Sequence, residues 1–131
     1  MKAQMSDKSA ILGLGNDIIE IGRISQSIER LKSHFLDKLF TEKEQAYCNQ
    51  FKDQATHYAG RFAAKEAIAK AFGFGFGEKI AWNDIEILPD EFGKPIPYLS
   101  IKLKSQFNDP TILVSISHCT THATAVAIWT E

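Results

Sequence analysis

The chain has 131 residues, 44% of them hydrophobic and 24% charged, with a formal net charge of −1. That size and composition suit one globular domain around one core. The near-neutral balance excludes a chain that binds nucleic acid through its overall charge, so any basic function must be a local patch. Cys48 and Cys119 form neither a C-x-x-C pair nor a disulfide framework, and they read as reduced thiols of a cytoplasmic protein. Met1 to Ala10 lacks the apolar centre of a signal peptide, and no apolar run approaches the ~20 residues of a bilayer span. Neither a nucleic acid nor a membrane is therefore expected as a partner.

Residues 1–9 are polar with mixed charge and read as a disordered tail, and residues 10–131 read as one domain without a linker. Ala10 to Leu14 is short, apolar and bounded by glycine, which predicts a strand that Asp17 ends. Ile21, Ile24, Ile28 and Leu31 then recur at helical spacing. Leu36 to Phe51 is a second helical stretch. Within it, Thr41-Glu42-Lys43-Glu44 has the form of a capping box and predicts a break near Phe40. Asp53 to Phe72 is the longest helical pattern, with alanines almost all round its axis, so it is expected to be buried. Gly73-Phe74-Gly75-Phe76-Gly77 stops it. Ile80 to Leu88 reads as a strand and Pro89 to Gly93 as a turn. Pro95 and Pro97 confine the next strand to an edge or a start. Ile101 to Phe107 is ambiguous between helix and strand. Thr111 to Ser117 and Ala123 to Trp129 alternate as strands around a polar connection. The order predicts an α+β domain, with helices in the first half packed on an antiparallel sheet from the second.

Two carboxylates stand out. Asp17 precedes a helical pattern with Glu20 three residues on, which is also how a helix cap looks. Glu66 falls on the long helix among Ala59, Phe62 and Ala63, an expensive place for a lone charge. Lys70, at i+4, is in position to pair with it. The sharper reading joins Asp17 and Glu66 around one hard divalent cation, since magnesium typically takes one or two protein carboxylates and leaves its other positions to water and phosphate. Arg61 and Lys65 share a stripe of the same helix, either solvated or clasping phosphate. The glycine run is either a helix stop or a backbone cradle for a diphosphate. Gly13-Leu14-Gly15 lacks the third glycine of a dinucleotide fingerprint. His118 sits where a strand meets a loop, and His34, His57 and His122 have no evident mate. Cys119 has no triad around it, so nucleophilic catalysis is not expected.

Taken together, the segments resemble a known family. Gly13-Leu14-Gly15-Asn16-Asp17-Ile18-Ile19-Glu20-Ile21-Gly22-Arg23-Ile24 resembles the opening motif of holo-acyl-carrier-protein synthases. Arg61-Phe62-Ala63-Ala64-Lys65-Glu66-Ala67-Ile68-Ala69-Lys70-Ala71-Phe72-Gly73 resembles their second motif. Leu39 to Glu44, Phe92-Gly93-Lys94-Pro95 and Val114-Ser115-Ile116-Ser117-His118 match further landmarks in family order. The resemblance implies a 4′-phosphopantetheinyl transferase fold of the short, homotrimeric class. It implies an enzyme that moves phosphopantetheine from coenzyme A to a serine of apo acyl carrier protein, in support of fatty acid biosynthesis. The alternative is a non-catalytic module that binds coenzyme A or the carrier protein. By the same resemblance Asp17 and Glu66 align with magnesium ligands, with Asp17, Glu66 and Lys70 as the catalytic set. Lys70 and Gly73 align with diphosphate contacts. Arg61 and His118 align with positions around the coenzyme, and Pro95 with its adenine side. The acidic carrier protein would dock on Arg23, Arg30 and Lys32, although Ser27 and Glu29 dilute that basic face. A second acid often stands two residues after the first metal ligand in the longer transferases, where this chain has Ile19.

Overall fold

A computed structural model describes residues 10–131, so the expected tail of residues 1–9 lies outside the described residues. The elements run β1 (Ile11–Glu20), α1 (Ile21–Leu31), α2 (Ser33–Leu39), α3 (Glu42–Cys48) and α4 (Gln54–Phe72). A turn of 3-10 helix (Trp82–Asp84) follows, then β2 (Ile85–Pro89), β3 (Pro95–Leu99), α5 (Ile101–Gln106), β4 (Thr111–His118) and β5 (His122–Thr130). β1, β5 and β4 form one antiparallel sheet in that spatial order, and β2 with β3 forms a second. The fold is α+β, but the expected division into a helical half and a sheet half does not hold. β1 travels the length of the chain to become an edge of the main sheet.

β1 is also longer than its apolar start suggests. Asp17 does not end the strand and caps no helix; it pairs in register with Ala125 in mid-strand. The strand continues because β5 supplies partners as far as Glu20, opposite His122. The residue before α1 is Glu20, which makes no side-chain cap. The break near Phe40 is present, and the capping box forms as expected. Thr41 Oγ1 accepts from the Glu44 amide, and Glu44 Oε1 accepts from the Thr41 amide at 2.9 Å. Asp53 caps α4 by accepting from the Thr56 amide. Strand structure after Ile80 starts only at Ile85, because Asp84 Oδ2 accepts the Ala81 amide and holds the intervening turn. Ile101–Gln106 is helical, capped by Ser100. Pro97 sits opposite Ile87 in a two-stranded sheet, where each strand is an edge.

The core lies between α4 and the main sheet. Ala63, Ala64, Ala67 and Ala71 of α4 meet Ala125 and Ala127 of β5. Small residues on both surfaces let the helix backbone come close, and β1 contributes the closest approach. A Cβ placed on Gly15 would stand 2.0 Å from the Ala67 carbonyl oxygen, and one on Gly13 would stand 2.0 Å from that of Ala71. The Gly13-Leu14-Gly15 pattern is therefore a helix seat. Aromatic pairs close the ends, with Phe72 stacked on Phe107 at 4.0 Å and Phe40 against Tyr58 at 4.9 Å.

Candidate active site

The β1–α4 seat brings the two acids together. Gly13 and Gly15 face α4, so strand alternation turns Asp17 to the same side. Lys70, from the last turns of α4, reaches Asp17 Oδ1 at 3.1 Å and donates to the Asn16 carbonyl at 3.0 Å. The i,i+4 pair of Glu66 with Lys70 is not formed as a contact; Lys70 leans across to β1 instead. Glu66 is half-buried beside them. Burial pushes its pKa up, the negative charge of Asp17 pushes it further, and Lys70 pulls it back only in part. A carboxylate raised by burial and by a second carboxylate beside it makes a donor pair that suits a hard divalent metal. No group of three or more His, Cys, Asp or Glu gathers among the described residues. The chemistry of this pair fits magnesium, which leaves most positions to water and phosphate, better than a cation that needs an all-protein cage.

Gly73 caps α4 in the left-handed conformation, φ +86°, and its amide lies over the Ala69 and Lys70 carbonyls. The helix-stop reading of the glycine run is correct at this position.

A second cluster forms around Arg61. A cavity of about 170 Å³ is lined by Tyr47, His57, Arg61, Gly93, Pro95 and His118, among others. Three of the sequence-selected residues, Arg61, Pro95 and His118, thus meet at one place. Arg61 is 5% exposed, and its Nε and Nη2 have no hydrogen-bond partner. Its guanidinium lies 4.3 Å from the Tyr47 ring centroid, a cation–π contact. A buried cation with unused donors beside a cavity is a binding group for an anion. His118 ends β4 on the face turned to α4.

Lys65 behaves otherwise. It is neither solvated nor in position to clasp phosphate, being 0% exposed. Its Nζ donates to Glu44 Oε1 and to the Leu39 carbonyl, both at 2.7 Å, and to the Trp82 carbonyl at 3.2 Å. Glu44, also fully buried, accepts the Ile87 amide at 2.7 Å on its other oxygen. This knot ties α2, α3, α4 and β2 together and fixes the rotation of α4 one residue before Glu66. Burial is the largest influence on the Lys65 ammonium and lowers its pKa against the upward pull of Glu44.

Arg23 and Arg30 line a shallow groove on α1 with Gln26 and Ser27. Lys32 is exposed at the α1–α2 junction with a positive φ of 50°, outside the lining of that groove. Sequence reasoning missed Tyr47 and His57 of the cavity. The i,i+4 spacing of His57 and Arg61 on α4 was the available signal.

The fold has counterparts in known proteins. Residues 13–127 match the model of the 4′-phosphopantetheinyl transferase superfamily. A holo-[acyl-carrier-protein] synthase from Protochlamydia amoebophila is 52% identical over 120 residues, covering 92% of this chain and 98% of that protein. A Bacillus anthracis holo-(acyl-carrier-protein) synthase solved in complex with CoA (3′,5′-ADP) superposes with a TM-score of 0.81 at 34% identity, covering 94% of this chain and 99% of that one. The Helicobacter pylori holo-[acyl-carrier-protein] synthase in complex with coenzyme A gives a TM-score of 0.82 at 34% identity, covering 89% and 99%. The matched region holds Asp17, Arg61, Glu66, Lys70, Pro95 and His118 alike, and the chain belongs to the 4′-phosphopantetheinyl transferase superfamily.

Proposed function

We propose that this protein is a holo-[acyl-carrier-protein] synthase. It transfers the 4′-phosphopantetheine arm of coenzyme A to a serine hydroxyl of apo acyl carrier protein and releases adenosine 3′,5′-bisphosphate. The observation that carries this reading is the convergence of Asp17, Glu66 and Lys70 at the β1–α4 seat of a chain whose relatives bear that name. Two carboxylates and a lysine suit a reaction that handles a diphosphate. Asp17 and Glu66 would hold magnesium, which when bound neutralises the charge on the diphosphate and on the leaving group. Glu66, or a water beside it, accepts the serine proton, and its burial favours proton uptake. Lys70, now on Asp17, is half-exposed and free to turn to a diphosphate oxygen. Gly73 presents an open approach beside it, with nothing within 4 Å of the space a side chain would fill. The Arg61 cavity takes the adenosine end, with Pro95 on the adenine side.

The active site is assembled between subunits of a homotrimer. Arg61 and Glu66 are five residues apart, which places them about 140° apart around α4 and about 7.5 Å apart along it. The cavity lining contains none of Asp17, Glu66 and Lys70. A coenzyme that uses both clusters would have to wrap one helix, or else span two chains. The second arrangement is supported by the outer face of the main sheet, where Leu12, Leu14, Ile18 and Leu113 are exposed. Contiguous apolar patches of that kind mark protein contacts. The groove of Arg23 and Arg30, with Lys32 at its side, is the docking surface for the acidic carrier protein. No helix among the described residues is long and apolar enough to cross a membrane. We place the protein in the cytoplasm, where its carrier protein serves fatty acid biosynthesis.

The test mixes the protein with apo acyl carrier protein, coenzyme A and magnesium, and reads the carrier by intact mass. A phosphopantetheine adduct is expected. Asp17→Ala and Glu66→Ala should abolish it while circular dichroism stays unchanged. No adduct on several carrier proteins at any magnesium level would overturn the assignment and favour a non-catalytic binding module.

A further inference from the structure

His57 lies in the Arg61 cavity, and neither the proposed chemistry nor the family match gives it a task. Its ring is held between aromatic neighbours, stacked on Phe51 with centroids 3.6 Å apart and edge-on to Tyr47 at 6.0 Å. Across the cavity His118 of β4 faces it, with ring centroids 6.3 Å apart. One turn along α4 is Arg61, buried and with unused donors. Two imidazoles and a guanidinium therefore surround one small space that contains no carboxylate. The charged and titratable groups acting on His57 are Arg61 and the cap Asp53 from its own helix region, His118 from β4 and Tyr47 from α3. Only Asp53 favours the imidazolium; burial, Arg61 and His118 all lower the pKa of His57 from its usual 6.5.

Coenzyme A carries two anionic groups, a diphosphate and a phosphate monoester. The diphosphate belongs with Asp17, Glu66 and Lys70, so the monoester is what remains for a cavity lined by the Arg61 guanidinium and two imidazoles. A monoester is close to dianionic at neutral pH because its second ionisation lies near about 6. A dianion placed among these groups would outweigh the repulsion from Arg61 and favour a charged imidazole. We propose that His57 is a third phosphate-binding group of this cavity, joining Arg61 and His118 on the monoester of coenzyme A and taking up a proton as that phosphate enters. The inference rests on the coenzyme reading above and adds a consequence: affinity for the coenzyme rises as pH falls toward 6.5.

Isothermal titration of coenzyme A, in buffers of differing ionisation enthalpy, reads the proton directly. The wild-type protein is expected to take up protons on binding coenzyme A at pH 7, and to take up far fewer with 3′-dephospho-coenzyme A. His57→Gln should remove most of that uptake and weaken coenzyme A about tenfold at pH 6.5 but less than about threefold at pH 8.5, the size expected of one charge-assisted hydrogen bond. His57→Phe, which preserves the stack on Phe51, should behave alike and separates lost packing from lost charge. If both variants keep wild-type uptake and pH dependence, or if only His118→Gln removes them, the role of His57 is wrong while the coenzyme reading stands. If the wild-type protein does not bind coenzyme A at all, both readings fall.

Discussion

Glu66 and Lys65 are neighbours on α4 with opposite fates, and the difference is what each meets in three dimensions. Lys65 meets Glu44, two carbonyls and no water. Removing one partner of a buried pair strands the other, at a cost of roughly 3–5 kcal/mol. Lys65→Met should therefore lower the urea-derived stability by about that amount, leaving Glu44 without its partner in a dry site. The capping role of Glu44 was legible from Thr41-Glu42-Lys43-Glu44. Its second role was not, because Lys65 lies 21 residues further on and only the packing of α3 on α4 joins them. Glu66 meets Asp17, and its raised pKa has a sign that can be checked. Above its ordinary 4.5 the folded protein holds the Glu66 proton more tightly than the unfolded chain does. Stability of the metal-free protein should thus fall as pH rises from 4.5 through the raised folded value, and Glu66→Gln should flatten that slope in pH-dependent thermal melts. Magnesium at about 100 times its Kd should restore about 2.7 kcal/mol to the wild type and little to the variant. Equal stabilisation of both would move the metal elsewhere.

At the level of elements, the site depends on how closely one helix can approach one strand. The alternation of β4 and β5 and the alanine-rich α4 were legible because periodicity reports burial directly. The extent of β1 was not. Asp17 and Asn16 carry poor strand propensity, and their place in the sheet is decided by β5, more than a hundred residues away. The two glycines were visible, and the missing third glycine spoke against a dinucleotide fingerprint, but sequence spacing alone does not reveal a helix backbone as the close neighbour. Gly15→Ala tests the helix reading. Its methyl would stand 2.0 Å from the Ala67 oxygen and 2.7 Å from the Ala71 nitrogen, atoms that cannot swing aside. Overpacking of this kind costs about 3 kcal/mol or more. It should also push α4 off β1, parting Glu66 from Asp17, so turnover should fall in the fraction that remains folded. Gly22→Ala is the contrasting case. Gly22 lies in α1 with nothing within 4 Å of the added carbon, and alanine there should stabilise by about 0.5–1 kcal/mol. Equal effects of the two substitutions would show that close contact is not the reason for Gly15.

For the whole molecule, the main sheet has one face closed by α4 and, among the described residues, the other open. The open face bears Leu14 at 66% and Ile18 at 65% exposure, on the same strand as Asp17 but pointing away from it. On the proposed reading, strand alternation would couple assembly to catalysis: the residues that would face another copy and the residue that would hold the metal take turns along β1. A chain of this size with a 170 Å³ cavity encloses only part of a molecule as large as coenzyme A, since sites for drug-sized ligands span roughly 300–1,000 Å³. If a second copy completes the site, then breaking the open face should abolish transfer without touching either cluster. Ile18→Lys places a charge at the middle of that face while its neighbour Asp17 keeps its inward direction. Sedimentation velocity should show the wild type as a trimer and the variant as a monomer with unchanged circular dichroism. Adduct formation should fall at least a hundredfold, yet the Arg61 cavity of the monomer should still bind adenosine 3′,5′-bisphosphate, because Arg61, His118 and Pro95 belong to one chain. A monomeric variant that retained full transfer would show that one copy brings both clusters to the same coenzyme.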